Sequence, residues 1–292
     1  MSDIDQKNTR NRVDTVQKCL EDIKLILEDH QDESGFIRNQ GISEPDISGD
    51  VKRVESLSNL RDKLDEMHPA DIAAMLEQLP LDERLIVWKF IPSELDGDVL
   101  LEVSDAVRET LIADMDAQEL VAATEQLDAD EIADLAPNLP EEVIADVFSS
   151  LPEEERLQLS AALSYPEDTV GSLMDFEMVT VREDVTLDVV LRYLRRLERL
   201  PSNTDKLFVV DRREVLKGVL SVNDLIVSSP ETRVNDVMLT GIVSFYPDRD
   251  AESAAHAFER YDLVSAPVVD AHNRIVGRVT ITDIVDYIRE DA

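Results

Sequence analysis

Two stretches of the chain carry matching residues at one constant offset. Asp211 pairs with Asp270, Gly218 with Gly277, Ser221 with Thr280 and Asp224 with Asp283, each 59 positions apart. Four coincidences at a single offset require a duplicated unit. The local pattern names its elements. Period-two segments FEMVTV, KLFVVD and VLKGVLSV recur as GIVSFY, SAPVVD and RIVGRVTI, separated by stretches of helical spacing. Strict alternation reads as half-buried strand, and i, i+3, i+4 spacing as amphipathic helix. Residues 165–229 and 230–292 are therefore two βαββα units.

Residues 51–164 obey a different rule. Helix runs from about Val51 to Met67. HPADIAAMLEQLP, SELDGDVLLEVS, AVRETLIADMD, AQELVAATEQLD, ADEIADLAPNLP, EEVIADVFSSLP and EEERLQLSAALS then follow as helices of one to three turns. Pro, Asp or Ser stands at the joints, where it starts or caps the next helix. Helices this short are unstable alone and must stack on one another. The expected fold is α+β and multidomain: an all-α, solenoid-like superhelical domain, then the βαββα pair. Residues 1–50 form a separate piece. Val13, Val16, Leu20, Ile23 and Leu27 make a helical stripe, and QDESGFIRNQGISEPDISGD reads as a flexible linker.

Charge narrows the partners. The chain carries a formal −35, of which residues 68–164 hold −20, offset there only by Arg84, Lys89, Arg108 and Arg156. Such a surface repels nucleic acid and anionic membrane and attracts cations. Cys19 is the sole cysteine, so one chain can form neither a disulfide nor a thiolate cluster. His30, His68, His256 and His272 are scattered without ligand spacing, which argues against zinc. No apolar run of about eighteen residues is present, and MSDIDQKNTR is no secretory signal, so the chain reads as a soluble one. Neither a Gly-rich phosphate loop nor a nucleophile with its base appears, and an enzyme is not expected.

LMDFEMVTV, VMLTGIVSF, GVLSVNDL and GRVTITDI give the duplicated unit a family resemblance. The pair resembles tandem cystathionine-β-synthase (CBS) domains. That resemblance implies a homodimer built through the CBS domains and an adenine nucleotide, ATP or AMP, as a ligand. Ser221, Asp224, Thr280 and Asp283 match the family's Ser/Thr-x-x-Asp positions. A carboxylate there accepts from ribose hydroxyls, and a hydroxyl donates to phosphate. The same residues also cap a following helix well, and both readings stay open.

HPADIAAMLEQLP, DADEIADL, YPEDTVGSLM and VTITDIVDYIREDA together are similar to the cytosolic part of MgtE-type magnesium channels. The resemblance covers residues 68–292 and implies a region at the cytoplasmic face of a longer membrane protein, followed by a transmembrane pore. It also implies that Mg²⁺ joins carboxylates of the helical domain to those of the second CBS copy and favours a closed pore. The positions that match are Asp98, Asp130 and Asp134 on one side and Asp262, Asp283, Asp286 and Asp291 on the other. Mg²⁺ takes a few oxygen ligands and keeps water, so no histidine or cysteine signature is expected.

The electrostatics suit a switch. Two unit charges about 6 Å apart repel by about 3 kcal/mol at an effective dielectric of 20. A divalent ion reverses that sign. The alternatives are a stand-alone nucleotide sensor, which needs no divalent ion, and a scaffold whose acidic superhelix binds a basic partner.

Overall fold

A computed structural model describes Leu20, residues 61–197 and residues 199–290. The N-terminal stripe other than Leu20, the linker and the start of the expected Val51–Met67 helix lie outside them, as does Asp291. Residues 61–65 are helical. The described residues cluster into two compact units. One holds 61–127 and Asp134–Ser150; the other holds Asp128–Ala133 with 151–290.

The first unit is helical. Its elements are α1 (Pro69–Glu77), α2 (Leu81–Trp88), α3 (Asp96–Glu102), α4 (Asp105–Ile112) and α5 (Ala117–Thr124). After α6 (Ala129–Leu135), most of which lies in the second unit, comes α7 (Glu141–Ser150). The joints behave as their residues dictate. His68 Nδ1 accepts from the Ala70 N–H at 3.2 Å, with Pro69 opening α1. Asp116 and Glu119 form a reciprocal capping box at α5. Inward faces bury Ile72, Met75 and Leu76 from α1, Val99 and Leu100 from α3, and Leu111 and Leu120 from α4 and α5.

A second repeat shows itself here. Arg84 on α2 donates to the carbonyls of Leu76 and Leu79, closing the end of the helix before it. Arg108, 24 residues later on α4, donates to the carbonyls of Leu100, Leu101 and Val103. These are the orphan acceptors that any helix leaves at its C-terminus. The next position in this series is Ile132, whose side chain has no donor, and it lies within Asp128–Ala133, the segment that clusters with the second unit.

The second unit begins with that segment and α8 (Glu153–Ala162) and continues into the duplicated part. In the first copy β1 (Thr180–Arg182) runs parallel to β2 (Lys206–Val210), which pairs antiparallel with β3 (Leu216–Ser221). The helices α9 (Leu187–Leu194) and α10 (Val222–Val227) accompany them, and α11 (Val234–Val237), beyond the expected boundary, packs on the same core. In the second copy α12 (Ala251–Tyr261) precedes the antiparallel pair β4 (Ser265–Val269) and β5 (Ile275–Thr280), and α13 (Ile281–Glu290) follows. The expected strand GIVSFY is reduced to a single parallel bridge, Phe245 with Val268. Pro247 follows two residues on and cannot donate to a ladder.

The register repeats too. Lys206 faces Ser221 as Ser265 faces Thr280, and each hairpin shifts register at the equivalent place, Val209/Val210 and Val268/Val269. Every member of the repeat's first three pairs, and Asp283 of the fourth, has structural work. Asp211 Oδ1 accepts from the N–H groups of Arg213 and Val215, and Asp270 Oδ1 from those of His272 and Arg274, which folds each hairpin turn. A Cβ on Gly218 would strike the Leu239 carbonyl, and one on Gly277 would strike Met174. Ser221 caps the helix that follows it, and Asp283, in the first turn of α13, accepts from the Thr280 N–H just before that helix. Each copy has its own apolar core, around Leu207, Val209 and Leu220 in the first and Phe258, Val268 and Val279 in the second. Phe208, Val219 and Val269 pack between the copies.

Candidate metal centre

Within the second unit, the start of α6, the Met174–Glu177 stretch and the start of α13 bring acids together. Asp130 stands at the centre. Its Oδ1 is sealed from solvent and has no hydrogen-bond partner. Burial pushes its carboxyl up to about 8, and the nearby charges of Asp175, Glu131 and Asp283 add to that rise, while its own backbone N–H opposes it. A buried carboxylate loses its hydration, so the neutral form is favoured unless a cation or donors replace the lost water.

Asp283 is pushed up to about 7, first by burial. The Thr280 N–H donates to its Oδ2 at 2.6 Å and pulls in the opposite direction. The charge of Asp175 raises it further and that of Arg278 lowers it. Burial likewise raises Asp175, against the Arg278 guanidinium that pairs with it at 2.7 Å. At the rim, burial raises Asp128 and Glu177; Arg199 opposes both.

Two of the seven expected metal residues, Asp130 and Asp283, thus share one neighbourhood. The others are placed differently. Asp98 is exposed on α3 and Asp134 is exposed at the end of α6, both within the helical unit. The face that spacing assigns jointly to Asp130 and Asp134 is split, since Asp130 is half-buried. Asp262 is exposed and closes α12 in a left-handed conformation, φ 50°. Asp286 is exposed and accepts from Arg289 Nη1 at 3.1 Å. Sequence reading passed over Asp175, Glu177 and Asp128. The signal was available: Arg278 interrupts an apolar strand column at the place where the first copy has Val219.

The donors suit a hard divalent cation, being carboxylate oxygens with one oxygen unpartnered. Among the described residues, no group of three or more His, Cys, Asp or Glu is placed to hold a metal ion by itself. An ion here would take a pair of carboxylates and retain water.

The positions expected to contact nucleotide are engaged locally. Ser221 Oγ accepts from the N–H groups of Asn223 and Asp224 at 3.1 and 3.4 Å. Thr280 is buried and tied to Asp283, which therefore serves its own helix cap as well as the acidic cluster. The helical unit holds a separate, half-buried acid, Asp96, pushed up to about 7 by burial and by Glu119 and Glu94. It occupies a position where Ile72 lies 24 residues earlier and Leu120 lies 24 residues later.

Comparison with known proteins agrees with this architecture. The family model of the MgtE intracellular N domain matches residues 67–168, and the CBS domain model matches 170–231 and 234–290. The magnesium transporter MgtE of Thermus thermophilus is 35% identical over 236 residues, 80% of this chain and 52% of that protein. That of Bacillus subtilis is 28% identical over 81% of this chain and 52% of its own length. The chain thus spans about half the length of these curated relatives. Homoserine O-acetyltransferase of Methanohalobium evestigatum matches only 41% of the chain, at 27% identity. Among solved structures, the cytosolic domain of the Mg²⁺ channel MgtE in complex with ATP superposes with a TM-score of 0.72 at 33% identity, covering 82% of this chain and 97% of that one. The soluble part of a magnesium transporter, at 21% identity and a TM-score of 0.71, shares the fold.

Proposed function

Because the chain belongs to the MgtE family, comprising its N domain and CBS pair, we propose that it is the Mg²⁺-sensing regulatory region of a magnesium channel. It is not an enzyme; the relatives that match across both domains are transporters. The observation that carries the sensing role is the buried, unpartnered Oδ1 of Asp130 beside Asp175 and Asp283. Three acids in one buried neighbourhood repel one another. Mg²⁺ relieves that repulsion, held by Asp130 and Asp283 with water completing its shell. Asp128–Ala133 is continuous with the helical unit, so holding it in the second unit constrains both. Ion occupancy then biases the channel towards closure, and whatever favours closure tightens the ion in return.

The remaining expected ligands, Asp98, Asp134, Asp262, Asp286 and Asp291, belong to this reading as further members of the acidic faces. The region works as a homodimer at the cytoplasmic face of a membrane pore. Exposed Ile226 and Val227 on α10, with Ile281, Val285 and Ile288 at helical spacing on α13, supply apolar surface for that pairing. A nucleotide is the second ligand to consider, because the 33%-identical relative is a complex with ATP.

Small-angle scattering of the chain tests these points together. Millimolar Mg²⁺ should reduce the radius of gyration relative to EDTA, and Asp130→Ala should demand more Mg²⁺ for the same change. An identical radius in both conditions refutes the sensor. The scattering mass should be twice 32.9 kDa; a mass of one chain refutes the dimer. ATP acting in EDTA, where Mg²⁺ is absent, would favour the nucleotide sensor instead.

A further inference from the structure

The two CBS copies differ sharply at one place that the repeat makes directly comparable. Val219, on β3 of the first copy, forms an isolated antiparallel bridge with Leu239. Arg278, at the equivalent place on β5 of the second, forms the same kind of bridge with Asp175. The backbone is alike in both. The Leu239 N–H donates to the Val219 carbonyl at 2.8 Å, and the Leu239 carbonyl accepts from the Val219 N–H at 2.9 Å; Asp175 and Arg278 exchange the same two bonds at 2.8 Å. Gly218 leaves room for the Leu239 carbonyl, and Gly277 leaves room for Met174 and, less tightly, the Asp175 carbonyl. The fold therefore accepts an apolar pair here, and the second copy has a charged pair instead.

That charged pair is buried, with side chains 4% and 14% exposed. Arg278 Nε donates to Asp175 Oδ2 at 2.8 Å, and Nη2 donates to the Ser202 carbonyl at 2.7 Å. Asp175 Oδ1 accepts from the Glu177 N–H at 2.6 Å. Buried ion pairs contribute little net stability compared with well-packed apolar residues, so stability alone does not account for the pair. Its surroundings do. Arg278 acts electrostatically on Asp175, Glu177 and Asp283, and Asp175 acts on Asp130.

We propose that Arg278 is a built-in counter-cation of the carboxylate cluster, a positioning residue that fixes Asp175 beside Asp130 and Asp283 and balances charge that a divalent ion would otherwise balance alone. The inference rests on the Mg²⁺ reading above. Arg278 and the ion then compete for the same negative field. The arginine sets how much Mg²⁺ the cluster needs and keeps the unit folded when the ion is absent.

Calorimetric titration with MgCl₂ and thermal unfolding in EDTA test this on the full chain. Arg278→Met should tighten Mg²⁺ by about tenfold, or about 1.4 kcal/mol, because one opposing charge is gone. It should also lower the melting temperature more in EDTA than in Mg²⁺. Asp175→Asn should weaken Mg²⁺ by about tenfold. The double variant Asp175→Leu/Arg278→Val restores the first copy's residue types and leaves the net charge unchanged. It should fold and bind Mg²⁺ within about threefold of the parent. A double variant shifted as far as Arg278→Met would mean that lost packing, not charge, is responsible, and would overturn the proposal. So would an unchanged midpoint in Arg278→Met. If that variant does not fold, Asp175→Asn decides, and an unchanged midpoint there has the same force. A parent chain with no Mg²⁺ response refutes the sensor reading itself, whereas a responsive parent whose variants keep its midpoint refutes only the role of Arg278.

Discussion

Asp130 and Asp283 illustrate how burial turns an ordinary side chain into a responsive one. Their carboxyls, at about 8 and about 7, lie well above the usual range near 4. The sign of the consequence follows from linkage. The folded chain binds these protons more tightly than the unfolded one, so their contribution to stability is complete below about pH 4 and is lost as pH rises through 7 to 8. On the sensor reading proposed above, Mg²⁺ takes the ionised form, so it should restore stability above about pH 8 and do little below about pH 6. Melting curves across that range, in EDTA and in Mg²⁺, check this. The EDTA curve should flatten in Asp130→Asn; stability in EDTA that climbs with pH would contradict the assignment. At this scale the sequence was partly legible. The acids of DADEIADL and the terminal helix stand out as charges, but which one loses its water depends on what packs over it.

Among the elements, the helices of the first unit are two or three turns long and depend on side chains that reach from one to the next. Arg108 shows the device most clearly, since its buried guanidinium meets three carbonyls at and just beyond the end of α3. Arg108→Met keeps the apolar stem and removes the donors. It should cost about 2–3 kcal/mol, measured by denaturant unfolding, because buried carbonyls lose charge-assisted partners. A cost within about 0.5 kcal/mol would show that water takes over the acceptors. The short helices and their joints were readable from spacing, Pro and Asp. The arginine reach was not, because it is a contact between successive helices. Ile132 breaks the 24-residue series, yet only the clustering of Asp128–Ala133 with the second unit shows what accompanies that break. GIVSFY was over-read as a strand because alternation takes no account of Pro247.

For the whole molecule, a charge of −35 makes any cation stabilising to some degree. Screening and site binding must therefore be separated. Sodium chloride acts through the Debye length, about 10 Å at 0.1 M, and affects exposed acids above all. A buried cluster is poorly screened. MgCl₂ at a few millimolar should raise the melting temperature more than sodium chloride at matched ionic strength; equal shifts would reduce the effect to general screening. Among the described residues no helix is long and apolar enough to cross a membrane.

Residue order alone determined the duplicated βαββα pair, the run of short helices before it and the acidic bias, because turn residues, period and charge are local properties that survive in one dimension. The family likeness followed from those same strings. Tertiary structure decided the rest. It selected Asp130 and Asp283 from a large set of acids, added Asp175, and set Arg278 against them from a distant strand. Burial and the field of neighbouring charges arise only when remote segments pack together, so no spacing along the chain encodes them.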